Sequence, residues 1–173
     1  GSVHYDNVAP SYLGGLQLML PNSAQLCRSL PWFSHWRVVV SYPGTVISTK
    51  AAREVLPVNY SRHHAIQYAG LLSRFVSAMY VQDEADALDS MHDVLAEPYR
   101  LSLIPELLPL RAQMLEQGIV HLGISGSGPT LFAVCKSDVH AQIAAKIFHA
   151  QYEKNTDAMT HICQMAKQGA RQL

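Results

Sequence analysis

Four short segments carry residue types able to hold a small charged molecule. The first is His4-Tyr5-Asp6-Asn7, followed by Val8-Ala9-Pro10. An imidazole, a carboxylate and a carboxamide this close together can hold an amine and a hydroxyl, because Asp brings charge and Asn both donates and accepts. The same residues also suit a turn in which Asp6 and Asn7 bond their own backbone ahead of the proline. The second segment, Ser48-Thr49-Lys50-Ala51-Ala52-Arg53, reads as a helix start. Free N–H groups and two hydroxyls there attract phosphate or carboxylate, and Arg53 follows one turn later. An ordinary Ser/Thr cap with a solvated cation explains it equally.

Glu97-Pro98-Tyr99-Arg100 is the third segment. Arg100, beside a break enforced by proline, can grip a carboxylate bidentately, which a lysine imitates poorly; the plainer alternative pairs it with Glu97 on the surface. The fourth segment runs Gly123-Ile124-Ser125-Gly126-Ser127-Gly128-Pro129-Thr130. Its glycines let backbone approach a ligand without Cβ obstruction and can turn N–H groups into an anion nest. It is not a Walker loop, which needs Gly-Lys-Ser/Thr leading into a helix, nor the Gly-x-Gly-x-x-Gly opening of a dinucleotide fold. A tight hairpin is the alternative, although fewer glycines usually suffice for one.

Elements must bring these segments together. His35 to Tyr42 is aromatic and β-branched and stops at Pro43-Gly44, so it reads as a buried strand. Tyr12 to Leu20 reads as a second strand, with Gly14-Gly15 marking a bulge or a close backbone approach. Ser48 or Thr49 caps a helix running to Leu56. Ser61 to Val81 places Ala65, Ala69, Leu72, Val76, Met79 and Tyr80 along one helical face that must lie on a sheet or another helix. Asp83 to Val94 is a weaker helix, broken at Glu97-Pro98. Ile104 to Gln117 is a further helix, with Pro105 in its first turn and Gly118 at its carboxyl cap.

Ile119 to Ile124 and Leu131 to Cys135 read as strands joined through the glycine-rich turn. Ser137 caps a helix with the apolar line Val139, Ile143, Ile147 and Ala150, and Met159 to Met165 is a last strand. The order from His35 predicts an α+β fold, a ferredoxin-like split β-α-β sandwich with extra helices in its first crossover.

Composition narrows the function. The 173 residues hold 13 Lys plus Arg against 13 Asp plus Glu, so no net field gathers nucleic acid or an anionic membrane. Charged residues are 15% of the chain, against about 25% in typical domains, which predicts surface covered by another domain or subunit. Cys27, Cys135 and Cys163 are odd in number and far apart, which argues against a disulfide framework and for a reducing cytoplasm. No apolar run approaches the roughly 20 residues of a membrane helix. His63, His64, His92, His121, His140, His149 and His161 lack Cys or carboxylate partners at ligand spacing, so no metal site is expected.

In this order and spacing, the four segments resemble the carboxyl-terminal portion of the homoserine kinases, a branch of the GHMP family of small-molecule kinases. The resemblance runs from Gly1 to the end and is carried also by Leu13-Gly14-Gly15. It implies phosphoryl transfer from Mg-ATP to the side-chain hydroxyl of L-homoserine, a step toward threonine, and, as is general in the family, a homodimer. It further implies that Asn7 orients the acceptor hydroxyl, that His4 and Asp6 hold the amino-acid end, and that Arg53 and Arg100 grip the carboxylate. Thr49 and the turn of Gly123, Ser125, Gly126, Ser127 and Gly128 then lie near the transferred phosphate.

One family feature is missing from the sequence: the Pro-x-x-x-Gly-Leu-Gly-Ser-Ser loop that wraps the ATP phosphates. With Gly1 in place of Met, this leads us to expect a carboxyl-terminal piece of a longer enzyme. Residues 1–30 are then a remnant of the amino-terminal kinase domain and 31–173 the carboxyl-terminal domain. The chain is expected to be inactive alone and to bind no ATP tightly. The competing expectation is a ferredoxin-like ligand-binding or regulatory module without catalysis.

Overall fold

In the computed structural model, which describes residues 5–171, the chain opens with helix α1 (Val8–Leu13), ended by Gly14 at φ +78°. Strand β1 (Leu16–Met19) turns through Pro21-Asn22 and pairs antiparallel with β2 (Cys27–Leu30). The strand expected over Tyr12 to Leu20 is therefore shorter, because Tyr12 and Leu13 belong to α1. Gly14-Gly15 does mark a close approach: a Cβ on Gly14 would come within 2.6 Å of the Gln168 backbone. β2 escapes sequence reading because Arg28 and Ser29 break any apolar alternation.

β3 (Arg37–Tyr42) follows, then α2 (Thr49–Glu54), α3 (Arg62–Val81), α4 (Glu84–Ser90), α5 (Glu97–Arg100) and α6 (Leu107–Glu116). The hairpin β4 (His121–Ile124) and β5 (Leu131–Cys135), helix α7 (Asp138–Gln151) and β6 (Met159–Cys163) complete the chain. The main sheet has the order β4-β5-β3-β6, with every neighbouring pair antiparallel. Counted from β3, this is the order 2-3-1-4, the ferredoxin-like arrangement, with α2 to α6 in the first crossover and α7 in the second. The fold class is α+β, as the sequence predicts.

Ser48, Ser61 and Ser137 each accept a hydrogen bond from the N–H three residues on, so three helix starts follow directly from sequence. Other boundaries differ. Pro98 does not break a helix but sits in the first turn of α5, where its missing N–H is harmless. Pro105 lies ahead of α6 rather than within it. In α7 the buried side is Ala141, Ala144, Ala145, Ile147 and Phe148, while Val139 is 68% exposed. Of the expected line, Ile147 is buried and Ile143 packs against the same core, whereas Val139 and Ala150 are exposed; the small alanines let the helix approach the sheet.

Alternation along the strands assigns each sheet face. Val39, Leu122, Leu131, Ala133 and Cys135 point to one face and meet Leu107, Leu110, Met114 and Phe148 of α6 and α7 in a closed core. The other face presents Phe132 and Val134 to Trp36, Met79 and Leu88, beneath the carboxyl-terminal end of α3 and α4. The earlier turns of α3 do not pack as expected: Ala65, Ala69 and Leu72 are exposed, and only Met79 of the predicted face is buried. Among the described residues no helix is long and apolar enough to cross a membrane.

Candidate active site

The glycine-rich turn joins β4 to β5, whose last paired residues are Ile124 and Leu131. Ser125 N–H donates to the Thr130 carbonyl at 2.8 Å and Gly128 N–H to the Ser125 carbonyl at 3.1 Å, which closes the turn on itself. Gly126 (φ +60°) and Gly128 (φ +80°) occupy left-handed conformations that resist side chains. Gly128 is also tightly packed, since a Cβ there would come within 2.8 Å of Ile104 Cδ1. The buried Tyr152 hydroxyl donates to the Pro129 carbonyl and anchors the exit of the turn. Burial, and secondarily Glu106, push this phenol above the usual tyrosine range, so it stays a donor. The N–H groups of Gly126 and Ser127 have no acceptor among the described residues and are free for an anion.

Ser48 spends its hydroxyl on the cap of α2, at 3.0 Å from Ala51 N–H, so Thr49 is the residue with a free hydroxyl at this helix start. Thr49 and Arg53 are exposed, and Arg53 lies in the last turn of α2. Neither makes a side-chain hydrogen bond among the described residues.

Arg100 connects the segments. Its Nη1 donates to the Gly126 carbonyl at 2.9 Å, and its Nε reaches toward the Ala52 carbonyl of α2 at 3.4 Å. The surface pair with Glu97 does not form. Glu97 is held instead by Arg111 of α6, in a fork with distances of 2.8 and 2.7 Å. Arg111 also donates to the Leu122 carbonyl at 2.7 Å, which ties the start of α5 to β4 beside the glycine-rich turn. Sequence reasoning overlooked Arg111, because nothing local links residues fourteen apart on separate helices. The structure thus brings together the second, third and fourth segments.

It does not bring in the first. Asp6 and Asn7 are exposed, and Asn7 stands at the start of α1 without a side-chain cap; its carbonyl accepts from Ser11 Oγ at 2.8 Å. His4 lies outside the described residues. This end is fastened to the carboxyl-terminal tail, through Gly15 N–H to the Ala166 carbonyl (2.7 Å) and Ala170 N–H to the Ser11 carbonyl (2.9 Å). Among the described residues Asp6 and Asn7 make no side-chain hydrogen bond to α2, α5 or the turn.

A separate cavity of about 370 Å³ opens on the outer face of the sheet, walled by Leu16, Tyr68, Leu72, Phe75, Met91 and Phe132. His121 lies at it, buried, its pKa pushed down to about 3 by burial and then by His92 and Arg111. At neutral pH this imidazole is uncharged, and the wall is apolar. Glu97 and Asp93 also line the cavity, but Glu97 is already forked by Arg111 and Asp93 Oδ1 accepts from Leu95 and Ala96 N–H. Among the described residues that line this cavity there is no Lys or Arg to meet a phosphate, whereas the other cluster is built on Arg100.

Comparison with known proteins agrees with this geometry. Residues 75–154 match the family model described as GHMP kinases C terminal. Homoserine kinase from Cytophaga hutchinsonii superposes with a TM-score of 0.88 at 28% identity, covering 98% of this chain and 54% of that one. L. major mevalonate kinase, solved with R-mevalonate, shares the fold at a TM-score of 0.69 and 17% identity, covering 98% of this chain and 55% of its own. The phosphomevalonate kinase of Streptococcus pneumoniae does so at 0.57 and 12%, covering 80% of this chain and 43% of its own. The chain spans about half the length of the solved kinases it resembles, 54% for the Cytophaga enzyme. With the sheet order and the turn already described, residues 75–154 match the model of the GHMP kinase carboxyl-terminal domain, and the chain shares the fold of the solved kinases of that kind.

Proposed function

We propose that this chain supplies the acceptor-binding half of a homoserine kinase, which transfers the γ-phosphoryl group of Mg-ATP to the side-chain hydroxyl of L-homoserine. The observation that carries this reading is Arg100, hydrogen-bonded to the glycine-rich turn and reaching toward α2. Arg100 beside a turn with free N–H groups, with Arg53 adjoining the Ala52 that Arg100 reaches, suits a zwitterionic acceptor receiving a phosphoryl group. Phosphoryl transfer depends mainly on positioning and charge stabilisation.

In this reading Arg53 and Arg100 hold the acceptor carboxylate, while Thr49 and the N–H groups of Gly126 and Ser127 face the transferred phosphoryl group. By the family resemblance Asp6 and His4 hold the ammonium end and Asn7 orients the hydroxyl, although among the described residues Asp6 and Asn7 make no side-chain hydrogen bond to the Arg100 cluster in this structure. The ATP phosphates and magnesium are held by another part of the enzyme, since the serine-rich phosphate loop is not among the 173 residues. Residues 1–30, which include the separate β1–β2 hairpin, belong to that ATP-binding half, and the ferredoxin-like domain begins near residue 31. The 173-residue chain alone is therefore inactive.

Calorimetric titration of the chain with homoserine and with Mg-ATP, beside a coupled ADP-release assay of chain and full-length protein, tests this. The reading predicts ADP release that depends on homoserine in the full-length protein only. Turnover or tight ATP binding by the chain alone would place the phosphate site within it and overturn the half-site reading. Homoserine binding by the full-length protein without ADP release would favour a ligand-binding module.

A further inference from the structure

The glycine-rich turn is fastened unevenly. At its exit, Gly128 is wedged against Ile104 and the Pro129 carbonyl takes the Tyr152 hydroxyl. At its apex, Gly126 is exposed, and a Cβ placed there would meet nothing within 4 Å. The Arg100 Nη1 bond to the Gly126 carbonyl, at 2.9 Å, is the side-chain contact that steadies this apex.

Arg100 is itself oriented from behind. The Ala52 carbonyl lies in the last turn of α2, where helical acceptors run out of N–H partners, and Arg100 Nε lies 3.4 Å from it. Fork-bound Glu97 fixes the start of α5 through Arg111. A guanidinium carries five N–H donors in one plane. Two face Ala52 and Gly126, which leaves the other Nη1 hydrogen and both on Nη2, enough for a carboxylate.

We infer that Arg100 is a positioning residue for the glycine-rich turn as well as a carboxylate ligand, so that one side chain couples acceptor occupancy to the site that receives the phosphoryl group. The inference rests on the kinase reading above. Holding the Gly126 carbonyl fixes the peptide plane that carries the Ser127 N–H, one of the two free donors of the turn. A carboxylate bound on the open edge then restrains the guanidinium, and with it the apex. Loss of Arg100 is felt even by an acceptor that has no carboxylate.

The test crosses Arg100→Met and Arg100→Lys with two acceptors, homoserine and 3-amino-1-propanol, its decarboxylated analogue, in the full-length protein. Methionine keeps an apolar stem and removes every donor. The inference predicts that Arg100→Met lowers kcat for 3-amino-1-propanol by roughly tenfold, the scale of one lost charge-assisted hydrogen bond, and raises the homoserine KM further. Arg100→Lys restores part of the kcat but not the bidentate grip. Unchanged kcat for 3-amino-1-propanol would reduce Arg100 to a carboxylate ligand and overturn the inference.

Amide hydrogen exchange of the same proteins supplies a readout independent of turnover. Faster exchange at Ser125 and Gly128, with α7 unchanged, supports the brace; unchanged exchange at both contradicts it. If wild-type protein phosphorylates neither acceptor, the kinase reading fails while the exchange result still decides whether Arg100 braces the turn.

Discussion

The two faces of the main sheet share four strands but are closed in different ways. On the inner face α6 and α7 bring Leu107, Leu110, Met114 and Phe148 against Val39, Leu131 and Ala133, all 1% exposed or less. On the outer face the carboxyl-terminal end of α3 covers Phe132 and Val134, whereas its earlier turns leave Ile66 66% exposed and Tyr68 43%. The cavity beside Phe75 and His121 lies on that incompletely closed face. The inner face therefore holds the fold, while the outer face leaves apolar surface open.

The largest expected effect tests the inner face. Phe148→Ala removes a fully buried ring and should cost about 3–5 kcal/mol in urea unfolding. Phe75→Ala, at a half-buried position beside the cavity, should cost clearly less. Equal losses would erase the distinction between the faces.

Next in size is a pH effect from the outer face. Folded His121 resists protonation down to about pH 3, whereas the unfolded chain takes the proton near pH 6.5. The unfolded state binds more protons between those values, so stability is full above about pH 6.5 and falls as pH drops below it. Between pH 6.5 and 5 the loss from this group is about 2 kcal/mol. His92 and Arg111 add to the effect of burial, and Asp93 and Glu97 line the same cavity. Denaturant melts across pH should show the slope in wild type and a shallower one in His121→Leu.

Ser137→Ala removes the cap that starts α7 and should cost about 1 kcal/mol. Smallest of all, Ile66→Gln on the bare part of α3 should change stability by no more than about 0.5 kcal/mol. A loss of several kcal/mol at this position would mean that α3 is covered in the protein under test.

What was legible in the sequence follows the range of the forces involved. Caps at Ser48, Ser61 and Ser137 act within one turn, and the β-branched run of β3 is local, so both could be read directly. β2 could not, because Cys27-Arg28-Ser29-Leu30 becomes a strand only through pairing with β1. On α7 the apolar periodicity marks Ile143 and Ile147 correctly but not the exposed Val139 and Ala150, and it passes over the alanines at 141, 144 and 145 that the close approach to the sheet buries. At the site, the glycine-rich turn and Arg100 were recognisable from residue type. The partners of Arg100 were not: Gly126 lies 26 residues away and Ala52 lies 48 away, and the Glu97–Arg111 fork is likewise non-local.

The central claim, that α2, α5 and the glycine-rich turn form the acceptor side of a kinase site, is tested most directly by steady-state kinetics of the full-length protein with Mg-ATP. Homoserine and galactose serve as acceptors, for wild type and Arg53→Ala. The account predicts ADP release with homoserine in strong preference to galactose, and a homoserine KM that rises by roughly tenfold or more in Arg53→Ala while kcat changes little. Equal use of galactose, or an Arg53→Ala enzyme with an unaltered homoserine KM, would contradict it.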